Sequence, residues 1–158
     1  MFCGIACGRA PAAIVWEDEL TLAFLDLRQF HAGHTLVIPR RHLQDVRELD
    51  PPTGAALMAA VARISRVVAA AFPNQGLSLW HSIGAAAEQE VPHLHVHVHP
   101  RLLQDGLLRV YPSAPALPDQ AVREAYALRL RARLPELRQP DRLTDPWTAP
   151  RYGRADSE

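Results

Sequence analysis

Pro92-His93-Leu94-His95-Val96-His97-Val98-His99-Pro100 is the most strongly patterned segment of the chain. Four histidines alternate with three branched apolar residues over seven positions, with a proline at each end. Successive side chains of a β-strand point to opposite faces. The pattern therefore places His93, His95, His97 and His99 on one face and Leu94, Val96 and Val98 on the other. One face can enter a core, and the other is a row of imidazoles. A helix turns about 100° per residue and would scatter that row. Half of the chain's eight histidines lie in this stretch.

Working outward, residues 13–17 and 20–26 are short apolar segments separated by Asp18-Glu19, the spacing of an antiparallel hairpin. Gly33-His34-Thr35-Leu36-Val37-Ile38-Pro39 reads as a third strand closed by proline, with His34 at its start. Asp50-Pro51-Pro52 is a helix start, because aspartate accepts backbone N–H bonds and proline suits the first turn. Leu57, Val61, Ile64 and Val68 then recur at helical spacing until Phe72-Pro73, with Arg63 and Arg66 on another face. Residues 77–82 read as a fourth strand, and the small-residue loop Gly84 to Glu90 delivers the chain into the histidine row. Residues 119–134 suit a second helix, and the Pro/Arg/Asp-rich stretch from Pro135 suggests a mobile tail. The expected organisation is one domain over residues 1–108, an extension with a helix over 109–134, and a tail over 135–158. Arg101, Arg109 and Tyr111 follow the row and are read as solvated surface.

Lys+Arg 17 against Asp+Glu 17 leaves no net charge, so the chain carries no overall field for nucleic acid or an anionic membrane. No apolar run approaches the roughly 20 residues of a membrane span, and a cytoplasmic protein is expected. Cys3 and Cys7 lie too close together to staple a fold and read as free thiols or metal ligands.

A row of imidazoles can ligate metal, move protons or attack an electrophile. Phosphoryl transfer needs positioning and neutralisation of charge more than covalent machinery. A neutral imidazole whose second nitrogen is fixed by an acceptor can attack phosphorus, and backbone N–H groups of a small-residue loop can hold the phosphate oxygens.

His93-Leu94-His95-Val96-His97-Val98-His99 resembles the motif of the histidine triad family of nucleotide hydrolases and transferases, in which His99 alone departs from the apolar pattern. Ala10-Pro11-Ala12, Ile14 to Asp18, Ala23-Phe24-Leu25-Asp26, Gly33 to His42, and Gly84-Ala85-Ala86 leading to Gln89-Glu90-Val91-Pro92 arrive in the family's order. The resemblance implies an α+β fold with a five-stranded antiparallel sheet, one long amphipathic helix and a C-terminal helix, assembled as a twofold homodimer through the long helix and an edge strand. It implies His95 as nucleophile on the α-phosphate of a purine nucleotide derivative. His97 would hold a phosphate oxygen, His93 would orient and handle protons, and His34 would position the triad. Asp26 would contact the ribose, Leu25 and Leu27 the base, and Ser82 and Gln89 the phosphate region, with His99 a bystander at the strand's end.

Three positions depart from the family's pattern: Ser82 for asparagine or glutamine, Glu88 for glycine, and Glu90 for serine or threonine. Many bacterial relatives bind zinc through a Cys-x-x-Cys pair and two histidines. Aligned on Pro11, Cys3 matches the second cysteine, whereas Cys7 is displaced to give Cys-x3-Cys. The chemistry requires no cofactor. Cys3, His42 and His93 remain as ligands for a structural zinc, one short of a closed site, and a degenerate site with Cys7 packed in the core is the favoured expectation. The expected function is a hydrolase releasing a nucleoside monophosphate from phosphoramidates or dinucleoside polyphosphates through a nucleotidyl-histidine. The alternatives are a nucleotide-binding module with weak catalysis and a histidine-strand metal protein.

Overall fold

The computed structural model describes residues 1–107 and 115–134, in two units divided after Leu107. Arg109, Tyr111 and the tail from residue 135 lie outside the described residues. The first unit runs α1 (Phe2–Ala6), β1 (Ile14–Glu17), β2 (Thr21–Leu25), β3 (Thr35–Pro39), α2 (Pro51–Ala71), β4 (Gly76–Trp80) and β5 (Val96–Arg101). The five strands form one antiparallel sheet in the order β1-β2-β3-β5-β4. The second unit holds α3 (Gln120–Arg133), capped by Asp119, whose Oδ1 accepts from the Val122 N–H at 2.9 Å.

Local chemistry sets the element ends. At the β1–β2 turn, Asp18 Oδ1 accepts from the backbone N–H groups of Leu20 (2.9 Å) and Thr21 (2.6 Å). Asp50 Oδ1 caps α2 by accepting from Thr53 N–H at 2.9 Å, and prolines fill the first turn, where their missing N–H groups leave no bond unmade. The inward face of α2, comprising Leu57, Ala60, Val61, Ile64 and Val68, packs on Ala23, Val37, Leu94 and Val98 of the sheet. Burying an aliphatic side chain of this size contributes about 1.5–3 kcal/mol, so this face holds helix and sheet together. α2 differs from the expectation drawn from apolar runs. Its alanine-rich composition gives 21 residues that are long and apolar enough to cross a membrane, yet Thr53, Leu57, Ala60, Val61, Ile64 and Val68 are buried in the fold.

The other face of the sheet carries Leu22, Phe24, Leu36 and Ile38, closed by Phe2 of α1. This short N-terminal helix has no sequence periodicity to announce it. Five residues are too few for a helix to persist alone, and Phe2 holds it by packing edge-on against Phe24 at 5.4 Å.

The alternation of the histidine row holds, since Leu94 and Val98 enter the α2 core with Val96 packed against it. The strand, however, starts only at Val96. Its partner β3 ends at Pro39, which has no N–H to continue the ladder. His93 to His95 are instead held singly, by His93 N–H on Val91 O (2.8 Å) and Leu94 N–H on Leu43 O (2.7 Å).

Candidate functional site

Strand register assembles the site. Leu36 pairs His97 from β3, and Trp80 pairs His97 from β4, so imidazoles and indole share one face. Trp80 lies flat on His97, with centroids 4.2 Å apart and planes 4° apart, and also stacks on His34 at 5.6 Å. His34 enters from the turn before β3. Gln29 shapes that turn: its Oε1 accepts from Gly33 and His34 N–H (2.9 and 3.1 Å), and its Nε2 donates to Asp26 O and His34 O (2.7 and 2.8 Å). Gly33 sits at φ +98, and a Cβ there would stand 2.4 Å from the Phe72 ring.

Backbone carbonyls only accept, so they fix where each imidazole carries its proton. His95 Nδ1–H donates to His93 O at 2.6 Å, which leaves Nε2 of the neutral ring with its lone pair free. His34 Nδ1–H donates to Arg28 O at 3.0 Å, so its Nε2 accepts from His97 Nδ1–H at 2.9 Å. His97 therefore also presents a bare Nε2 beside His95, their rings 4.9 Å apart. Asp26 Oδ2 lies 3.8 Å from His34 Nδ1, giving the sequence carboxylate, imidazole, imidazole.

The field favours neutral rings. Burial, reinforced by the imidazoles of His95 and His34, pushes His97 down to about 3. Burial likewise holds His34 below the ordinary histidine value, against the opposing pull of its bond to Arg28 O.

His99, expected at the strand's end, is buried in the ring cluster. It is 1% exposed and packs edge-on against His34 at 4.5 Å and beside His31 at 5.3 Å, and burial ahead of His34 pushes it down to about 4. It opposes Ser78 of β4, so the pleat turns it to the same face as His97.

The other expected residues divide. His93 works here through its carbonyl on His95, while its own Nε2–H donates to Pro39 O at 3.0 Å. Ser82, just past β4, is half-buried, as is Leu25 at the end of β2. Leu27 is 91% exposed and not part of any wall. Gln89 closes its own loop: its Oε1 accepts from Gly84 N–H and its Nε2 donates to Gln44 O, both at 2.9 Å. Glu88, at φ 60, takes the left-handed conformation that favours glycine. Arg101 is not solvated surface: it grips Asp105 through Nε (2.7 Å) and Nη2 (2.6 Å) and donates to Ser78 Oγ at 2.8 Å.

Trp80, His81 and Phe2 join the site without a role that the sequence pattern assigns them. His81 donates Nδ1–H to His95 O at 3.0 Å, and Phe2 meets the His95 ring edge-on at 5.3 Å. Trp80 was recoverable from the alternation of Leu77-Ser78-Leu79-Trp80 combined with strand register; Phe2 had no comparable signal.

Cys3, His42 and His93 converge. Cys3 Sγ lies 3.3 Å from His42 Nδ1 and 3.4 Å from His93 Nδ1. Because His93 carries its proton on Nε2, its Nδ1 lone pair faces the sulfur. These separations suit three corners of a tetrahedral zinc site, whose Zn–S and Zn–N bonds are about 2.3 and 2.0–2.1 Å. Cys7 is not packed in the core: it is exposed and its thiol points to Gly4 O at 3.5 Å, one turn away from the cluster. Asp26, His34 and His97 form the second group of clustered donors among the described residues.

Comparison with known proteins identifies the family to which the chain and its fold are similar. The family model described as HIT domain matches residues 8–102. Protein hit of Bacillus subtilis is 42% identical over 101 residues, 64% of this chain and 70% of its own. An adenosine 5'-monophosphoramidase of Schizosaccharomyces pombe is 31% identical over 76% of this chain and 88% of its own. An adenylylsulfatase of Arabidopsis thaliana is 35% identical over 68% of this chain and 54% of its own. Among solved structures, a HIT family member from Bacillus subtilis superposes with a TM-score of 0.79 at 35% identity, covering 85% of this chain and 96% of that one. A zinc-bound histidine triad family protein from Mycobacterium smegmatis gives 0.62 at 40% identity, over 86% and 93%.

Proposed function

The chain belongs to the HIT domain family, and we propose that it is a hydrolase that cleaves nucleoside 5'-phosphate derivatives at the α-phosphorus through a nucleotidyl-His95 intermediate. The observation that carries this reading is the 2.6 Å bond from His95 Nδ1–H to His93 O, which aims an unprotonated Nε2 away from the backbone. The relatives named adenosine 5'-monophosphoramidase and adenylylsulfatase support the same reaction class.

In the first step His95 Nε2 attacks the α-phosphorus. The bond from phosphorus to the leaving group breaks, and its electron pair goes to the departing nitrogen or oxygen. The His95 ring then bears positive charge, which strengthens the Nδ1–H bond to His93 O. The bound phosphate draws a proton onto His97 Nε2, reversing the depression caused by burial. Nδ1 of His97 stays on His34, and Asp26 at 3.8 Å from His34 Nδ1 balances the charge. That imidazolium holds a phosphate oxygen and protonates the leaving group. Water then attacks phosphorus, His97 takes its proton, the electron pair returns to His95 Nε2, and a nucleoside monophosphate leaves.

A purine nucleotide is the expected substrate, with Asp26 and Leu25 toward the ribose and base. The chain acts as a homodimer through the exposed face of α2, where Met58 and Val67 are 59% and 47% exposed, and the edge strand β4. Cys3, His42 and His93 are the residues that would hold a structural zinc, one protein ligand short of a closed site. When bound, the metal cross-links α1 to the histidine row.

The test is AMP release from adenosine 5'-phosphoramidate by the wild type and by His95→Ala. Turnover by the wild type and its loss in a folded His95→Ala variant is the expected result; retained turnover in that variant overturns the mechanism.

A further inference from the structure

The turn after β2 and the loop entering the histidine row are joined by one ion pair. Arg28 donates Nη1–H to Glu90 Oε1 at 3.0 Å and Nη2–H to Oε2 at 2.8 Å, a bidentate fork. The side chains are 72% and 63% exposed, and a pair so exposed adds little to folding.

Its position gives it another role. Arg28 is built into the site by its backbone, with N–H donating to Asp26 Oδ1 at 2.8 Å and carbonyl accepting from His34 Nδ1–H at 3.0 Å. Glu90 lies three residues before His93, at the end of the loop that Gln89 closes. The two charges thus stand on the two segments that flank the imidazoles.

Resting on the hydrolase reading above, we propose that the Arg28–Glu90 pair selects the leaving group by charge, favouring a phosphoramidate whose departing amine carries a cation over an anionic sulfate or phosphate. The bond cleaved is phosphorus–nitrogen, its electron pair leaving on the nitrogen, which takes a proton. With its fork filled by Glu90, the guanidinium meets an anionic leaving group only after a bidentate carboxylate is displaced. A cationic leaving group displaces nothing, because a carboxylate has about four lone-pair sites and Arg28 occupies two of them. Salt screens both effects.

The experiment compares kcat/KM for three substrates. These are an adenosine 5'-phosphoramidate of an amine bearing a free ammonium, one of a neutral alkylamine, and adenosine 5'-phosphosulfate. In Glu90→Ser and Glu90→Gln the ratio of ammonium substrate to phosphosulfate falls about fivefold or more, because Arg28 is released. Arg28→Ser raises it, the neutral substrate stays between, and 1 M salt shrinks all three differences. Ratios that stay within twofold in every variant, or that move the same way for Arg28→Ser and Glu90→Ser, overturn the proposal. AMP release with such a flat ratio leaves the hydrolase reading standing, whereas no AMP release from any of the three substrates overturns both.

Discussion

Replacing His34 by phenylalanine separates two things that its ring does. Phenylalanine keeps a flat ring to stack on Trp80 and to meet the edge of His99, which lie 5.6 and 4.5 Å from the His34 centroid. It removes the Nε2 acceptor 2.9 Å from His97 Nδ1 and the donor to Arg28 O. A buried donor left without its partner costs about 1–3 kcal/mol, and at about 1.4 kcal/mol per factor of ten the preference for the Nδ1–H form of His97 falls roughly 5- to 150-fold. The expected outcome is a drop of about 10- to 100-fold in kcat/KM for AMP release, together with a lowered melting temperature that leaves the protein folded. Long-range proton–nitrogen NMR reads the cause directly: His97 is held as the Nδ1–H tautomer in the wild type and becomes a mixture in the variant. A folded His34→Phe protein with an unchanged His97 tautomer and a rate within threefold of wild type would show that the His34 acceptor does not set the His97 tautomer.

Below pH 6.5 the fold loses stability, because His97 and His99 stay neutral down to about 3 and 4 while the unfolded chain takes up their protons near 6.5. Their contribution is complete above about pH 6.5 and is lost as pH falls toward those lower values. Urea midpoints that decline from pH 7 to pH 5 are expected, and a flat profile argues against neutral buried rings. Glu88→Gly relieves a left-handed residue at φ 60 and should stabilise by about 0.5–1 kcal/mol, visible as a raised melting temperature; a lowered one means the side chain is needed. Gly33→Ala forces a Cβ to 2.4 Å from the Phe72 ring at φ +98 and should destabilise by roughly 1–3 kcal/mol in denaturant titrations, whereas no loss would show that Phe72 moves freely.

Period and punctuation make most of the sheet legible in the residues themselves. The hairpin around Asp18, the Leu36-Val37-Ile38 strand and the Asp50-capped helix each carry a local signal that agrees with the fold. The N-terminal helix carries none, because it owes its existence to Phe2 reaching Phe24 across the sheet face. The late start of β5 depends on a proline in its neighbour, a property of the pair rather than of the row itself. The same division runs through the site. Alternation groups the histidines, but it cannot say that His99 packs behind His34, or that Trp80 lies on His97. Those facts follow from cross-strand register. Tautomers are set by which carbonyl each ring meets, and the meeting of Cys3 with His42 and His93 joins residues far apart in the chain.

Covalent nucleotidylation of His95 is the step on which the proposed reaction turns. Rapid mixing with adenosine 5'-phosphoramidate, a quench in alkaline denaturant that preserves phosphorus–nitrogen bonds, and peptide mapping by mass spectrometry test it most directly. One adenylate on His95, absent from His95→Ala, is the predicted result. Adenylate on any other residue, or turnover with no adenylated peptide at any time, contradicts it.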